Sequence, residues 1–395
     1  MNYMSPQLNK TTQQSRESLQ SFDAKVINQQ PNNIPIEFIW PDNEKPSTDV
    51  KELQVPIIDI SSFLSGQDNQ ISASQASRLV SQAAKIHGFF IVTNHGVHEG
   101  ILSRAYKCMD MFFNLPASEK QKVKREWGEI SGYSDSFVGR FSSELPWKET
   151  LSFRFSAEEK LKNGTETVKN YISRTMGDLN EEFGTVFQEY AEVMNTLSLK
   201  IMEFLGISLG IDRRYFREFY EDNDSILRLN YYPPCKQPNL TLGTGPHNDP
   251  TSLTILDQDQ VGGLQVFVEN QWRSIAPKPR SFVVNIGDTF MALTNGIYKS
   301  CLHRAVVNSE RERKSIAFFL CPQKDKVVKP PKKLLEAFGQ RVYPNFTWSM
   351  FLEFTQKQYR SDKNTLQEFS DRLKNKQVVS NKLVEPIKLE ESERD

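Results

Sequence analysis

From about residue 225 to residue 320 the chain breaks into short β-rich runs at close intervals: ILRLNYY, TSLTIL, GLQVFV, QWRSIA, SFVVNIG, LHRAVV and KSIAFFL. Turn residues separate them, including Pro233-Pro234, Gly262-Gly263 and Pro277-Lys278-Pro279. Short strands spaced this closely point to a sandwich or a barrel. No other feature restricts the fold as much.

The first half reads differently. VPIIDI (55–60) is a short buried strand, and Ala76, Leu79, Val80 and Ala83 then recur at helical spacing. GFFIVTNHG (88–96) is a second apolar strand that ends in a turn. Leu102, Ala105, Met109, Phe112 and Phe113 mark another helix, stopped before Pro116. The longest helix is expected from about Leu179 to Leu205, with Phe183, Val186, Phe187, Tyr190, Met194, Leu197, Ile201 and Phe204 as its core stripe. The class is therefore α+β, mainly β. The expected divisions are a flexible segment over 1–50, a helix-rich region over 51–220, a β region over 221–325, and a C-terminal helical extension with a charged tail over 326–395. The first 30 or so residues are polar, and so is the tail from about 376.

Charge and cysteine usage exclude several functions. Lys+Arg and Asp+Glu are 49 each, so no basic field invites nucleic acid. No apolar run approaches the roughly 20 residues that span a bilayer, and the start of the chain has no apolar signal core. Cys108, Cys235, Cys301 and Cys321 are scattered, which fits a reducing compartment. The expectation is a cytoplasmic monomer with no membrane or nucleic-acid partner.

Five histidines are present. His87, His95 and His98 have no carboxylate at ligand spacing and read as structural. His247 and Asp249, in GTGPHNDPTSL, sit one residue apart, so in an extended backbone they point to the same side and Asn248 faces away. His303, in LHRAVV, supplies a third donor. Two histidines and one carboxylate form a facial triad for non-haem Fe(II), which leaves positions open for a chelating cosubstrate and for O2. A structural zinc site would want four closed ligands, usually with thiolates. Further on, Arg313 and Ser315 share a strand face, placed to grip the far carboxylate of a keto diacid whose other end chelates the metal. Phe319 lies on the same face as a candidate substrate wall. In LRLNYYPPC, Arg228, Asn230 and Tyr232 make one polar strand face. Buried polar groups without partners cost roughly 1–3 kcal/mol each, so that face must meet water or a polar ligand.

With NYYPPC, GPHNDPTSLTIL, DQVGGLQV, NIGD, LHRAVVN and RKSIAFF in hand, the chain resembles the plant 2-oxoglutarate- and Fe(II)-dependent dioxygenases from about Val55 to Gln358. The resemblance implies a distorted jelly roll, or double-stranded β-helix, with a helical N-terminal region. It implies iron on His247, Asp249 and His303. It places 2-oxoglutarate on Arg313, Ser315 and Tyr232, with Asn230 beside its chelating end and ascorbate as reductant. A narrower resemblance, to the gibberellin 20-oxidases, rests on LPWKETLSF within 132–155 and on FIWPDNEKP (38–46). It implies a diterpenoid acid as substrate. The 132–155 stretch reads by itself as a loop of mixed character. It offers Phe137, Arg140, Trp147, Lys148 and Arg154 as candidates to receive an apolar acid, with Arg228 from the polar strand face. Asn248 stands where that subfamily usually has cysteine.

Other readings remain open at this stage. One is a sister dioxygenase, such as a gibberellin 3-oxidase or a flavonoid-type hydroxylase. Another is a relative that uses Arg-x-Ser to hold a different carboxylate. A third is a non-catalytic jelly-roll metal binder, which would have no use for the Arg313–Ser315 pair.

Overall fold

The computed structural model describes residues 22–29, 34–47, 49–64, 70–126, 128–135, 144–177, 181–358 and 365–384. In chain order the strands are β1 (Ile57–Asp59), β2 (Phe89–Thr93), β3 (Gly132–Ser134), β4 (Glu149–Ser156), β5 (Asp224–Tyr232) and β6 (Thr244–His247). They continue as β7 (Leu253–Gln258), β8 (Leu264–Val268), β9 (Gln271–Ser274), β10 (Ser281–Ile286), β11 (His303–Ala305) and β12 (Arg313–Leu320). The larger sheet runs β1-β2-β10-β7-β12-β5-β4-β3 and the second β6-β11-β8-β9, while Val327–Val328 and Phe346–Thr347 form a separate two-stranded pair. From β5 onward the chain passes back and forth between the two sheets. The result is a distorted jelly roll around one cavity lined from both sides. Pairing in the larger sheet is antiparallel except between β1 and β2.

Alternation along each strand sorts its side chains. Leu227 and Leu229 of β5, and Ile316 and Phe318 of β12, enter the main apolar core. There they join Phe183, Phe187, Tyr190 and Met194 of the helix Glu181–Ser208, which begins and ends close to the expected bounds. Burial of each large apolar side chain stabilises the fold by roughly 1.5–3 kcal/mol. The helix ends where Gly210 takes a left-handed conformation (φ 70°) and the N–H of Ile211 donates back to the carbonyl of Gly206. One face of the larger sheet is thus covered, and the other is free to line the cavity.

Three expectations need correction. ETLSFRFS (149–156) is strand β4, paired with β5 from Glu149–Tyr231 to Ser156–Asp224, and not a loop. Its own alternation explains this, because Leu151, Phe153 and Phe155 are buried in the core while Thr150 and Ser152 turn the other way. The described parts of the first fifty residues are packed on the rest of the chain, where a flexible segment was expected. Phe22, Ala24, Ile34, Phe38 and Trp40 are buried, with the Phe22 and Phe38 rings each 5.2 Å from Trp147. At the other end, Thr365–Val384 is one helix that continues past 376, into the stretch expected to be a polar tail. Phe369 anchors it against Phe346 and Phe351, at ring distances of 5.2 and 5.0 Å. Among the described residues no helix is long and apolar enough to cross a membrane.

Candidate active site

The cavity is lined by one parity of β5 (Arg228, Asn230, Tyr232) and one of β12 (Arg313, Ser315, Phe319). His247, Asp249 and His303 meet in its wall. β11 pairs with β6 so that His303 lies opposite His247. One donor atom from each of the three residues lies within 4.8 Å of the others. The Nε2 atoms of His247 and His303 stand 3.6 and 3.7 Å from Asp249 Oδ1.

The surroundings leave the correct atoms available for a metal. His247 Nδ1 donates to the Gly245 carbonyl at 2.9 Å and His303 Nδ1 to the Cys301 carbonyl at 3.1 Å, so both Nε2 lone pairs face inward. Asp249 Oδ2 accepts from Thr254 Oγ1 at 2.6 Å and from Asn285 Nδ2 at 2.9 Å, which leaves Oδ1 free to ligate. Burial and the neighbouring His303 push the His247 imidazole down to about 3. Burial alone would raise the Asp249 carboxyl, but the two imidazoles and its hydrogen bonds outweigh burial and hold it below the ordinary aspartate range. At neutral pH neither His247 nor Asp249 has a proton to give up before binding a cation. Two imidazoles and one carboxylate, with no thiolate, fit Fe(II).

The NIGD motif acquires a physical role here. Asn285 holds the Asp249 side chain, and the N–H of Asp288 donates to the Asp249 carbonyl at 2.8 Å. Gly287 lies so close to the metal-bearing loop that a Cβ would meet the Thr251 carbonyl oxygen at 2.1 Å. Thr254→Ala and Asn285→Ala are each expected to weaken iron binding by about ten- to hundredfold, the usual loss when a ligand's orienting partner is removed. Metal titration of the purified variants checks this, and unchanged affinity would deny the orienting role. Asn248 faces away from the triad, as expected, and donates to Ser300 Oγ at 3.1 Å.

The opposite end of the cavity is built for an anion. Arg313 is 2% exposed, and its Nη2 donates to Gln258 Oε1 at 3.1 Å. Its Nε has no partner among the described residues. A buried guanidinium with an open N–H is costly unless a carboxylate fills it, so the residues fit the far end of 2-oxoglutarate. Ser315 lies next to Asn230, and Tyr232 opposite Arg313, by strand register. Phe319 pairs with Thr254, which holds Asp249, so it marks the metal end. Arg228 belongs to that end too, with its guanidinium 5.4 Å from the Phe319 ring centroid and its Nε donating to Ser152 Oγ at 3.0 Å.

Of the candidates from 132–155, only Lys148 lines the cavity among the described residues. Trp147 is buried against Phe22 and Phe38, and its Nε1 donates to the Pro233 carbonyl at 3.1 Å. Arg154 is taken by Asp224 at 2.6 Å and Glu159 at 2.7 Å. Neither reaches the cavity, so both are corrected to packing and ion-pair roles. Phe137 and Arg140 lie outside the described residues. The histidines read as structural accept backbone N–H groups two residues on: His87 from Phe89, His95 from Val97 and His98 from Gly100. Thr254, Asn285 and Gln258 were missed. Asn285 and Thr254 lie within the quoted NIGD and GPHNDPTSLTIL motifs, but no role was read for them, because the register that aims all three is a tertiary fact.

A jelly roll with a His-Asp-His set in its cavity and a buried arginine across from it defines a non-haem iron oxygenase. Residues 223–322 match the 2OG-Fe(II) oxygenase superfamily, and residues 55–172 match the family described as non-haem dioxygenase in morphine synthesis N-terminal. Gibberellin 20 oxidase 3 of Arabidopsis thaliana is 69% identical over 364 residues, covering 92% of this chain and 95% of that protein. Gibberellin 20 oxidase 1-D of Triticum aestivum is 55% identical, covering 88% and 95%. Among solved structures, JOX2 in complex with 2OG, Fe and JA superposes with a TM-score of 0.73 at 31% identity, over 88% of this chain and 97% of that one. The chain belongs to the gibberellin 20-oxidase family of the 2OG-Fe(II) oxygenases.

Proposed function

We propose that this chain oxidises carbon 20 of C20 gibberellin precursors in successive turnovers, consuming 2-oxoglutarate and O2 and releasing succinate, CO2 and C19 gibberellins. The observation that carries this reading is the 69% identity to a gibberellin 20 oxidase across a chain that keeps a complete donor set. When bound, Fe(II) and 2-oxoglutarate supply the oxidising power, since the keto acid loses CO2 while O2 is activated to take hydrogen from a carbon.

The protein's own residues bind, orient and exclude water. His247, Asp249 and His303 hold the metal, and Thr254 and Asn285 fix the carboxylate so that one oxygen points inward. Arg313, Ser315 and Tyr232 grip the far carboxylate of 2-oxoglutarate, and Asn230 lies further along towards its chelating end. Phe319 presents an apolar wall beside the metal, and Arg228 offers a cation there for the substrate's carboxylate. A grip on parts of the molecule remote from carbon 20 is shared by the methyl, alcohol and aldehyde stages, so the same pocket serves each turnover. Ascorbate serves as reductant, and the enzyme works as a cytoplasmic monomer without nucleic-acid or membrane partners.

The experiment is a time course with a C20 precursor followed by mass spectrometry. Alcohol and aldehyde should rise and fall before a C19 product appears. A single hydroxylated product that keeps all its carbons would instead place the chain with the sister hydroxylases.

A further inference from the structure

We propose that Lys148 is a second cation for the far carboxylate of 2-oxoglutarate, acting beside Arg313 and not on the gibberellin. The proposal rests on the reading that Arg313 holds that carboxylate.

Strand register places Lys148 at this end. β4 starts at Glu149, opposite Tyr231 of β5, and Tyr231 lies opposite Lys314 of β12. Lys148, the residue before β4, therefore enters the cavity in the row of Tyr232 and Arg313. The side chains agree with the register. Lys148 Nζ donates to Thr244 Oγ1 at 2.9 Å, and that hydroxyl stands 3.2 Å from the Tyr232 hydroxyl. Lys148 Nζ is 6.0 Å and the Arg313 guanidinium 4.9 Å from the centroid of the same Tyr232 ring. Of the other two cations in the lining, Arg228 lies at the metal end against Phe319, and Arg304 is held by Gln265 Oε1 and the Glu44 carbonyl.

Alternation explains how the sequence sets this up. Lys148 turns into the cavity, while its neighbour Glu149 turns out and is held by Lys120 and by the Tyr133 hydroxyl. Lys148 is 5% exposed, so its charge is poorly screened by solvent and acts strongly on any anion close by. The two cations are complementary. The guanidinium is a fork that fixes carboxylate geometry, and the ammonium is a point charge that adds attraction without directing it. Together they select a keto acid that ends in a carboxylate over one that ends in a methyl.

The test compares 2-oxoglutarate with 2-oxopentanoate, which has the same carbon chain but no far carboxylate. Binding is read on the Fe(II)-loaded protein without oxygen, from the visible band that forms when a keto acid chelates iron. Lys148→Met is expected to weaken 2-oxoglutarate by about tenfold, the scale of one charged hydrogen bond, and to leave 2-oxopentanoate unchanged. Lys148→Arg should recover most of the loss. Lys148→Gln, which keeps a polar partner for Thr244, should repeat the Met result and stands in for it if that variant does not fold. An equal loss for both keto acids would overturn the proposal. So would an unchanged 2-oxoglutarate Kd with a raised KM for the gibberellin. A wild-type protein that binds the two keto acids alike would overturn the reading of Arg313 itself.

Discussion

His247→Ala, Asp249→Ala and His303→Ala are each expected to bring turnover down to background and to strip most of the iron, while the fold survives. Each change removes one of three donors and leaves a two-ligand site. The loss should be deepest for Asp249, the only anion of the set, because the two imidazole ligands alone give the cation no charge compensation. Its removal also leaves the Thr254 hydroxyl and the Asn285 amide aimed at an empty position. The fold should persist because the triad sits in the cavity wall and the apolar core lies on the other face of the larger sheet. Iron content per chain and circular dichroism, measured together, check both halves. A variant that keeps both iron and activity near the wild-type level would remove that residue from the donor set.

Arg313→Lys should raise the KM for 2-oxoglutarate by about ten- to hundredfold, which corresponds to the ~1.5–3 kcal/mol carried by a hydrogen bond to a charged group. The charge is kept and the fork is lost, so the effect isolates geometry from Coulomb attraction. Gln258, which accepts from the guanidinium, and the Tyr232 ring beside it would face an ammonium that fills neither role as well. The KM for the gibberellin should change less, because Phe319 and Arg228 lie at the metal end of the cavity. Steady-state kinetics with each substrate varied in turn measure the split. An unchanged dependence on 2-oxoglutarate would contradict the role of Arg313.

Much of this arrangement was legible in the chain because strand alternation is a local signal. The polar face of Arg228, Asn230 and Tyr232 and the shared face of Arg313, Ser315 and Phe319 both line the cavity, as their spacing implied. The donor set was legible because His-x-Asp in extended backbone puts both groups on one side, and a chain with five histidines offers few third partners. What stayed hidden depends on register between strands far apart in sequence. Nothing local aims Thr254 at Asp249 or Gln258 at Arg313. Trp147 and Arg154 were misplaced for a different reason. Read as part of a loop, KETLSFRF has no inside or outside; with ETLSFRFS as β4, Lys148 before it enters the cavity, Glu149 turns to Lys120, and Arg154 is carried along to Asp224. The polar start of the chain likewise conceals Phe22, Ile34, Phe38 and Trp40, whose partners lie far along the sequence. The two signature segments meet in three dimensions. Phe38 packs on Trp147, the N–H of Leu145 donates to the Glu37 carbonyl at 2.6 Å, and Arg304, next to the iron-ligand position His303, donates to the Glu44 carbonyl at 2.8 Å.

The most direct test of the central claim is the number of succinate molecules released per C19 gibberellin formed. Each oxidation of carbon 20 consumes one 2-oxoglutarate, so conversion from the methyl through alcohol and aldehyde to loss of the carbon should release several succinates per C19 product. Succinate formed one-to-one with a hydroxylated product that retains all its carbons would contradict it.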